Sequence, residues 1–224
     1  MSQHRAPAGI WTVVVAAGSG SRFGAAKQYE PLGDRRVVDW SLAAASEGSA
    51  GVVLVVAGDR LAREAGHAAE HHAGRVQVVA GAATRSGSVR AGLAAVPAHA
   101  EVIVVHDAAR PLAPERLFAA VVQAIRDGAD AALPAVPVTD TIRRVDGGVV
   151  DRAELVAVQT PQAFAAHALR SAHRDDPEAS DDAALVEAAG GKVVIVPGDP
   201  INLKITDPLD LVVARVLLAQ RDAQ

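Results

Sequence analysis

A glycine-rich loop with two cations follows the first apolar run of this chain. The run Val13–Val15 leads into the segment from Ala16 to Lys27, which reads A-A-G-S-G-S-R-F-G-A-A-K and carries Arg22 and Lys27. Glycines let backbone N–H groups crowd around an anion, and the two cations neutralise its charge. The loop is therefore a candidate cradle for a triphosphate. On the loop alone, a tight strand-to-helix turn with two solvated cations remains the alternative.

The loop matches neither of the two common glycine motifs. A P-loop requires Lys directly after its last glycine and then Ser or Thr, whereas two alanines follow Gly24 and a glutamine follows Lys27. A dinucleotide-binding fingerprint requires G-x-G-x-x-G. Gly18 and Gly20 fit its start, but Phe23 occupies the third glycine position. The mismatch argues against both ATP hydrolysis and hydride transfer.

Further polar clusters come at the ends of predicted strands, at Gly81–Ser88, His106–Arg110, Thr139–Thr141 and Asn202–Thr206. Open α/β sheets bind ligands beyond the carboxyl ends of their strands, so we expect these clusters to converge on the glycine-rich loop. Asp107 ends an apolar strand, where a carboxylate is costly unless it is paired or bound to a metal. It is a candidate ligand of Mg²⁺, which takes one or two carboxylates plus phosphates and water. Capping the next turn or pairing with Arg110 are the alternatives.

Cations are concentrated in or near the loops of one predicted face: Arg22, Lys27, Arg110, Arg152 and Lys204. Phosphoryl and nucleotidyl transfer need in-line positioning and cations over the developing charge, and little covalent help from the protein. The pattern therefore suits attack by a phosphate or hydroxyl on the α-phosphorus of a nucleotide.

Short β-branched runs alternate with alanine-rich stretches, which predicts an α/β fold with a Rossmann-like, mostly parallel sheet and helices on both faces. Strands are predicted at Ile10–Ala16, Gly51–Ala57, Arg75–Ala80, Val102–His106, Ala131–Val136 and Lys192–Pro197. Helices are predicted at Val37–Ser46, Arg60–His71, Ser86–Ala95, Pro114–Asp127, Asp181–Ala189 and Pro208–Gln220. Pro114 and Pro208 suit first helical turns, and Asp207 is a candidate N-cap.

One segment breaks this alternation. Thr141–Val145 and Val149–Arg152 flank an Asp-Gly pair, which is a strong signal for a β-hairpin turn. A two-stranded hairpin is marginal alone and must pack on something. The spacing leaves two interpretations open for residues 138–159, an arm inserted in the domain that grips a second subunit, or a hairpin lying on its own domain.

Composition predicts one domain over residues 9–224, preceded by a frayed tail at 1–8. Half of the 224 residues are hydrophobic, and the net charge of −4 argues against a general nucleic-acid binder. No stretch approaches the roughly 20 apolar residues of a membrane span. The absence of cysteine excludes disulfides, thiolate metal sites and a cysteine nucleophile. A soluble cytoplasmic protein is expected.

Between residues 16 and 206, the chain contains a series of short motifs in the order A-A-G-S-G-S-R with K-Q, R-S-G-S-V, H-D-A-A-R-P, P-V-T-D-T-I, D-R, Q-T-P-Q, S-D-D-A and N-L-K-I-T. In type and order, these motifs resemble those of the 2-C-methyl-D-erythritol 4-phosphate cytidylyltransferases of the non-mevalonate isoprenoid pathway. H-D-A-A-R-P with the downstream D-T-I and T-P-Q is the most specific part. The resemblance implies a fold of the nucleotide-diphospho-sugar transferase type and transfer of CMP from CTP to methylerythritol phosphate, with pyrophosphate released.

The resemblance also implies residue roles, Mg²⁺ or another divalent cation as cofactor, and a homodimer. The catalytic cations would be Arg22, Lys27 and Lys204. The nucleotide would bind at Ala16, Ala17, Gly18, Gly20, Gly81, Ala82, Arg85, Ser88, Asp107 and Ala108. The acceptor would bind at Arg110, Thr141, Arg152, Thr160, Ser180 and Lys204. Thr141 and Arg152 would reach the partner's site, and Asp107 would lie near the metal, held mostly by the CTP phosphates.

Departures from the family pattern leave some contacts open. The loop after the third strand reads Gly81-Ala82-Ala83 where the family usually has two glycines and often an acidic residue. A side-chain contact from this loop to the cytosine amino group is therefore not expected, whereas backbone contacts at Ala82 and Ala83 are. The alternative functions are a cytidylyltransferase for another polyol phosphate such as ribitol 5-phosphate, a dinucleotide-binding oxidoreductase, and a nucleotide-binding domain without catalysis.

Two histidines outside these motifs lie one helical turn apart. His67 and His71 have the spacing of a metal-binding pair, with Glu64 and Glu70 as the nearest carboxylates in sequence. A solvated helix face is the favoured interpretation.

Overall fold

The computed structural model describes residues 9–18, 20, 23–72 and 74–222. Arg22, a predicted catalytic cation, and the predicted tail at 1–8 lie outside the described residues. The strands of the described chain are β1 Ile10–Ala16, β2 Pro31–Leu32, β3 Arg35–Arg36, β4 Gly51–Val56, β5 Val76–Ala80, β6 Val102–Asp107, β7 Ala131–Pro137, β8 Ile142–Arg143, β9 Val149–Val150, β10 Val156–Val158, β11 Gln162–Ala165 and β12 Val193–Pro197. The α-helices are α1 Val37–Glu47, α2 Leu61–His71, α3 Arg85–Ala95, α4 Glu115–Arg126, α5 Ala166–Ala172, α6 Asp182–Ala188 and α7 Pro208–Asp222.

The central sheet has the strand order β10-β7-β11-β6-β1-β4-β5, and β12 also pairs with β7. β1 runs parallel to both β4 and β6, β4 runs parallel to β5, and β12 runs parallel to β7. β11 lies antiparallel between β6 and β7, and β10 is antiparallel to β7. The mostly parallel α/β sheet expected from the sequence is confirmed.

Helices cover both faces of the sheet because successive side chains of a buried strand point to opposite sides. In β4, Val52, Leu54 and Val56 pack in the cluster that contains residues of α1, α2 and α4. Val53 and Val55 pack in the opposite cluster, which contains residues of α3, α5 and α6. A third cluster joins α7 to the β2–β3 hairpin and the start of α1. The sheet is thereby held rigidly between two layers, with its strand ends left to carry loops.

The predicted strands of the sheet and the predicted helices are present with end shifts of at most two residues. Pro114 is the N-cap of α4 rather than its first helical residue. The hairpin is shorter than predicted, because β8 and β9 pair over only two residues each. The strands β10 and β11 and the helix α5 were not predicted, nor was the two-residue hairpin β2–β3. β11 lacks a continuous apolar run, since Gln162 opens it although Phe164 is fully buried.

The segment between β7 and β10 forms an excursion from the sheet that carries the predicted hairpin. β10 returns antiparallel to β7, with Val156 opposite Pro137. The excursion exposes Val145 and Val149 to solvent. Among the residues that the model describes, no helix is both long enough and apolar enough to span a bilayer.

Candidate functional site

A cavity of about 540 Å³ lies beyond the carboxyl ends of β1, β5 and β6. Its described wall brings together eleven of the predicted site residues: Ala16, Ala17, Gly18, Gly20, Lys27, Ala82, Arg85, Ser88, Asp107, Ala108 and Lys204. The loops after three parallel strands and the segment before α7 therefore meet at one place, as the topology of an open sheet requires.

The glycine-rich loop is shaped by a glycine and by a buried glutamine. Gly20 has φ +69°, and its carbonyl accepts hydrogen bonds from the backbone of Phe23 and Gly24. A Cβ at Gly20 would collide with the carbonyl oxygen of Ala25. The Gln28 side chain donates to the carbonyls of Ala16 (2.7 Å) and Gly18 (3.0 Å). The two contacts hold the end of β1 against the turn that carries Lys27.

The loop after β5 is pinned to the first turn of α3. A Cβ at Gly81 would come within 2.6 Å of the Ala17 methyl group and 2.9 Å of Ser88 Oγ, so glycine permits the close approach of the two loops. Ser88 Oγ accepts from the Ala82 N–H at 3.1 Å, and Thr84 caps the helix by accepting from the Gly87 N–H. Ser88 thus has a structural role at the rim of the cavity, beside its predicted role in nucleotide binding.

Asp107 and Lys204 form a close ion pair at the cavity. Lys204 Nζ donates to Asp107 Oδ2 at 2.6 Å, and Arg85 Nη2 lies 4.0 Å from Asp107 Oδ1. Burial disfavours the carboxylate, but Lys204 and then Arg85 outweigh that effect and lower the pKa of Asp107 to about 2. Asp107 is therefore ionised at neutral pH, and its negative charge lies between two cations.

Arg85 is held from behind by a buried network. Its Nη1 donates to Asp182 Oδ2 at 2.7 Å, and Asp182 Oδ1 lies 3.0 Å from His173 Nε2. The Asp182 side chain is fully buried, so water does not screen its ion pair with Arg85, and removing either partner would leave a buried charge unpaired. Ser180, a predicted acceptor contact, lies two residues before Asp182, is exposed and is not among the described lining residues.

Arg110 and Thr160, both predicted acceptor contacts, are buried and do not belong to the described lining of the cavity. Thr160 Oγ1 accepts from the Asp107 N–H at 3.0 Å and donates to His106 Nδ1, also at 3.0 Å. His106 Nε2 lies 3.3 Å from the Arg110 carbonyl, which only accepts, so the proton of the neutral ring is on Nε2. Burial lowers the pKa of His106 to about 4. The histidine is a packing and hydrogen-bonding group rather than a base.

Arg110 is fixed by backbone carbonyls beneath the site. Its guanidinium donates to the carbonyls of Asn202 (2.7 Å) and Val158 (3.3 Å). Asn202 Nδ2 in turn donates to the Thr160 carbonyl at 2.9 Å. These contacts tie the segment that carries Lys204 to β6 and to the base of the arm.

Thr141 and Arg152 are exposed on the arm and do not line the described cavity. Arg152 Nη1 donates to the Thr139 carbonyl within the arm. One chain therefore does not bring these two predicted acceptor contacts to the cavity that holds Lys27 and Lys204.

The residues around Asp107 fit the expected divalent cation. Asp107 supplies the one carboxylate among the described residues that line the cavity. Mg²⁺ is commonly held by one or two carboxylates together with substrate phosphates, so a single carboxylate beside a triphosphate cradle is sufficient. Oδ2 of Asp107 accepts a hydrogen bond from Lys204, whereas Arg85 Nη2 lies 4.0 Å from Oδ1, so Oδ1 is the oxygen that would hold the cation.

Sequence reasoning missed the groups that position the site. Gln28, Asp182 and His173 carry no role in the predicted set, although each has a buried polar side chain. Buried polar groups need partners, but the partners lie far away in sequence, as for Arg85 and Asp182 at a separation of 97 residues. The local signals were the motifs K-Q, which contains Gln28, and S-D-D-A, which contains Asp182, and neither motif reveals the partner of its residue.

The model of the IspD family, 2-C-methyl-D-erythritol 4-phosphate cytidylyltransferase, matches residues 10–220. The protein of that name from Nocardia farcinica (strain IFM 10152) is 45% identical over 225 residues, which cover 96% of each chain. A bifunctional enzyme IspD/IspF from Clavibacter michiganensis subsp. michiganensis (strain NCPPB 382) is 46% identical over 230 residues. That match covers 96% of this chain and 55% of the relative, so the chain spans about half the length of such bifunctional relatives.

Solved structures agree with these matches. The 2-C-methyl-D-erythritol 4-phosphate cytidylyltransferase from Thermus thermophilus aligns with a TM-score of 0.75 at 35% identity, over 92% of this chain and 97% of that one. The 4-diphosphocytidyl-2C-methyl-D-erythritol synthase from Anaerococcus prevotii DSM 20548 aligns with a TM-score of 0.81 at 29% identity, over 94% and 98%. The chain belongs to the 2-C-methyl-D-erythritol 4-phosphate cytidylyltransferase family.

Proposed function

We propose that this protein transfers CMP from CTP to 2-C-methyl-D-erythritol 4-phosphate, giving 4-diphosphocytidyl-2-C-methyl-D-erythritol and pyrophosphate. The observation that carries the proposal is the convergence of Lys27 and the Asp107–Lys204 pair on one cavity with a glycine-rich loop. Membership of the family supplies the substrates. The cations and backbone amides of such a cavity suit a triphosphate and an attacking phosphate together.

In the proposed reaction, a phosphate oxygen of the acceptor forms a bond with the α-phosphorus of CTP. The bond from the α-phosphorus to the α,β-bridging oxygen breaks, and its electron pair leaves with pyrophosphate. A phosphate monoester is largely dianionic at neutral pH, since its second pKa is about 6. The nucleophile therefore needs no general base, which agrees with a neutral, buried His106 that does not line the described cavity.

The proposed role of Lys27 is to neutralise charge in the transition state and on the leaving pyrophosphate. Arg22 shares this role in the proposal, as the sequence predicts. Preorganised cations stabilise charge that grows during a reaction more effectively than water does, because they need not reorganise. Gln28, next to Lys27, holds the loop in place through the carbonyls of Ala16 and Gly18.

Asp107 has the proposed role of holding Mg²⁺ beside the triphosphate, and Lys204 that of contacting the acceptor phosphate. When bound, Mg²⁺ neutralises phosphate charge and orients the triphosphate. Lys204 keeps Asp107 ionised and is itself positioned by it at 2.6 Å. Arg85 contributes a second cation on the other side of Asp107, fixed by Asp182.

We further propose a homodimer in which the arm of each subunit completes the acceptor site of the other. The support is that Thr141 and Arg152 are exposed and do not line the cavity of their own chain in its described part. Exposed valines on the arm, Val145 and Val149, provide the apolar surface that such a contact buries. The cytoplasmic location expected from the sequence stays a prediction.

The function is tested by incubating the protein with Mg²⁺ and CTP and adding methylerythritol phosphate or ribitol 5-phosphate in separate assays. Pyrophosphate release with methylerythritol phosphate, and far slower release with ribitol 5-phosphate, is the expected result. If pyrophosphate is released only with ribitol 5-phosphate, the proposed acceptor is wrong, but the proposed nucleotidyl transfer still holds. Tight binding of NADH without binding of CTP would reject nucleotidyl transfer altogether.

A further inference from the structure

A cluster of two histidines and an aspartate lies between α1 and α2, outside the catalytic cavity. Asp39, His67 and His72 each offer one ligand atom, and these atoms all lie within 4.8 Å of one another. His67 Nε2 is 3.4 Å from Asp39 Oδ1. His72 Nε2 is buried and has no hydrogen-bond partner among the described residues. A buried nitrogen without a partner is costly, and a metal ion is one group that satisfies it.

We propose that Asp39, His67 and His72 bind a divalent transition-metal ion of the Zn²⁺ type and thereby tie α1 to the end of α2. Zn²⁺ binds imidazole nitrogen and carboxylate oxygen at about 2.0–2.2 Å, which separates tetrahedral ligand atoms by roughly 3.4 Å. The three ligand atoms lie within 4.8 Å of one another, so small rotations of the side chains bring them to that spacing. Two imidazoles and one carboxylate select Zn²⁺, Ni²⁺ or Co²⁺ over Mg²⁺, which prefers oxygen ligands.

The charges around the cluster favour a cation. Arg36 donates to both oxygens of Asp39 and, through Nη1, to both oxygens of Glu64. Two carboxylates therefore share one guanidinium, and Glu64 is almost fully buried. With the imidazoles neutral, this group carries one excess negative charge, which a bound metal ion offsets. The bonds from Arg36 also orient Asp39, as outer partners of a metal ligand do.

One of the three proposed ligands borders a second cavity. His67 lines this cavity of about 430 Å³, whose described wall also contains Arg36, Arg63 and Glu70 but neither Asp39 nor His72. None of the three proposed ligands lines the described catalytic cavity. The structure also changes the pair that the sequence suggested. His71 is exposed and stacks edge-on against His67, with ring centroids 4.3 Å apart, but it is not part of the cluster.

Isothermal titration with Zn²⁺ tests the proposal on the full chain, free of any histidine tag, stripped of metal and kept in excess Mg²⁺ without nucleotide. We expect about one Zn²⁺ per chain. His67→Gln and His72→Gln should each weaken the affinity about tenfold or more, because each removes a direct ligand. His99→Gln, an exposed histidine elsewhere, and His71→Gln should leave the affinity within about threefold of wild type.

Thermal melting with and without Zn²⁺, compared within each variant, keeps the test valid if a substitution alters folding. A ligand that binds only the native state raises the melting temperature, so Zn²⁺ should shift wild type and His99→Gln upwards by clearly more than His67→Gln and His72→Gln. The proposal is overturned by an absence of saturable Zn²⁺ binding in wild type, or by variants of His67 and His72 that bind like wild type. The proposal is also overturned if His71→Gln loses Zn²⁺ binding and His72→Gln keeps it, because the metal would then be bound by His67 and His71 on the solvated face of α2.

Discussion

Lys204 Nζ lies 2.6 Å from Oδ2 of Asp107, although the two residues are 97 positions apart in the chain. Asp107 ends β6, next to β1 at the centre of the sheet, and Lys204 lies in the segment between β12 and α7. The pair joins the proposed nucleotide side of the cavity to the proposed acceptor side. It also explains why a carboxylate is tolerated at the end of a buried strand.

Replacing Lys204 by Ala should destabilise the protein in a way that depends on pH. Because the folded pKa of Asp107 is lowered from 3.8 to about 2, its stabilising contribution is present above about pH 4 and disappears as pH falls towards 2. Lys204→Ala removes the main cation that lowers this pKa. We expect a loss of about 1–2 kcal/mol in the free energy of unfolding at pH 7, discounted for the partly exposed ammonium group.

Urea denaturation at pH 7 and at pH 3 measures this loss. The difference between wild type and Lys204→Ala should shrink at the lower pH. Lys192→Ala, which removes an exposed lysine outside the site, serves as the control and should show little change at either pH. An equal loss for Lys204→Ala at both pH values would contradict the assigned coupling.

Replacing Lys27 by Ala should lower kcat by at least about 100-fold, because a cation that acts mainly on the transition state contributes several kcal/mol there. Binding of CTP, followed by isothermal titration without acceptor, should persist. Lys192→Ala is again the matched control, since it removes the same charge from a distant surface. Turnover close to that of wild type in Lys27→Ala would show that Lys27 does not stabilise the transition state.

Replacing Gly20 by Ala should impair CTP binding through the backbone alone. The left-handed φ of +69° and the carbonyl of Ala25 both oppose a methyl group at this position, and the conformation by itself costs alanine about 1–2 kcal/mol. We expect CTP affinity to fall at least about tenfold. Gly66→Ala, in the middle of α2 with open space around it, should bind CTP normally. Equal CTP affinity in the two variants would exclude a cradle that depends on the shape of this loop.

Replacing Arg152 by Ala should raise the KM for methylerythritol phosphate far more than the KM for CTP. The reason is that Arg152 is an exposed cation on the arm, absent from the described wall of the cavity that carries the glycine-rich loop. Steady-state kinetics with each substrate varied in turn measures the two constants. Similar increases in both would contradict a role on the acceptor side.

Mixing subunits distinguishes action within one chain from action across a dimer. If Arg152 works in the partner's site, refolding Lys27→Ala together with Arg152→Ala gives mixed dimers that each contain one intact site. The assay is run at a methylerythritol phosphate concentration far below the KM of Arg152→Ala, so that both parents are nearly inactive. Equal mixing should then restore about a quarter of wild-type activity, because half of the dimers are mixed. If the arm serves its own chain, neither parent nor mixture regains activity.

Local sequence signals were sufficient for most of the fold. Apolar runs such as Gly51–Val56 predict buried strands because their whole length is covered by helices. The same rule fails for β10 and β11, which are short. In β11, Gln162 is buried through its position between strands rather than through its own character. The order of the strands depends on contacts between distant segments, which no local pattern encodes.

In the candidate site, too, local motifs could be predicted and contacts between distant residues could not. Gly20, Lys27 and Asp107 belong to motifs with a physical meaning at their own position, and all three line the cavity. The support of Arg85 by Asp182 joins residues 97 positions apart, and the motifs R-S-G-S-V and S-D-D-A that contain them do not show that the two side chains pair. The burial of a charged side chain is a result of the tertiary fold, so its partner can be identified only from the three-dimensional structure.

The most direct test of the account is to follow the phosphate oxygens of the acceptor. Methylerythritol phosphate labelled with ¹⁸O at its three non-bridging phosphate oxygens is incubated with CTP, Mg²⁺ and the protein. Mass spectrometry then measures the ¹⁸O content of both products. Attack on the α-phosphorus predicts that the cytidylylated product keeps all of the label and that pyrophosphate contains none. Labelled pyrophosphate, or release of CMP without a cytidylylated acceptor, would contradict it.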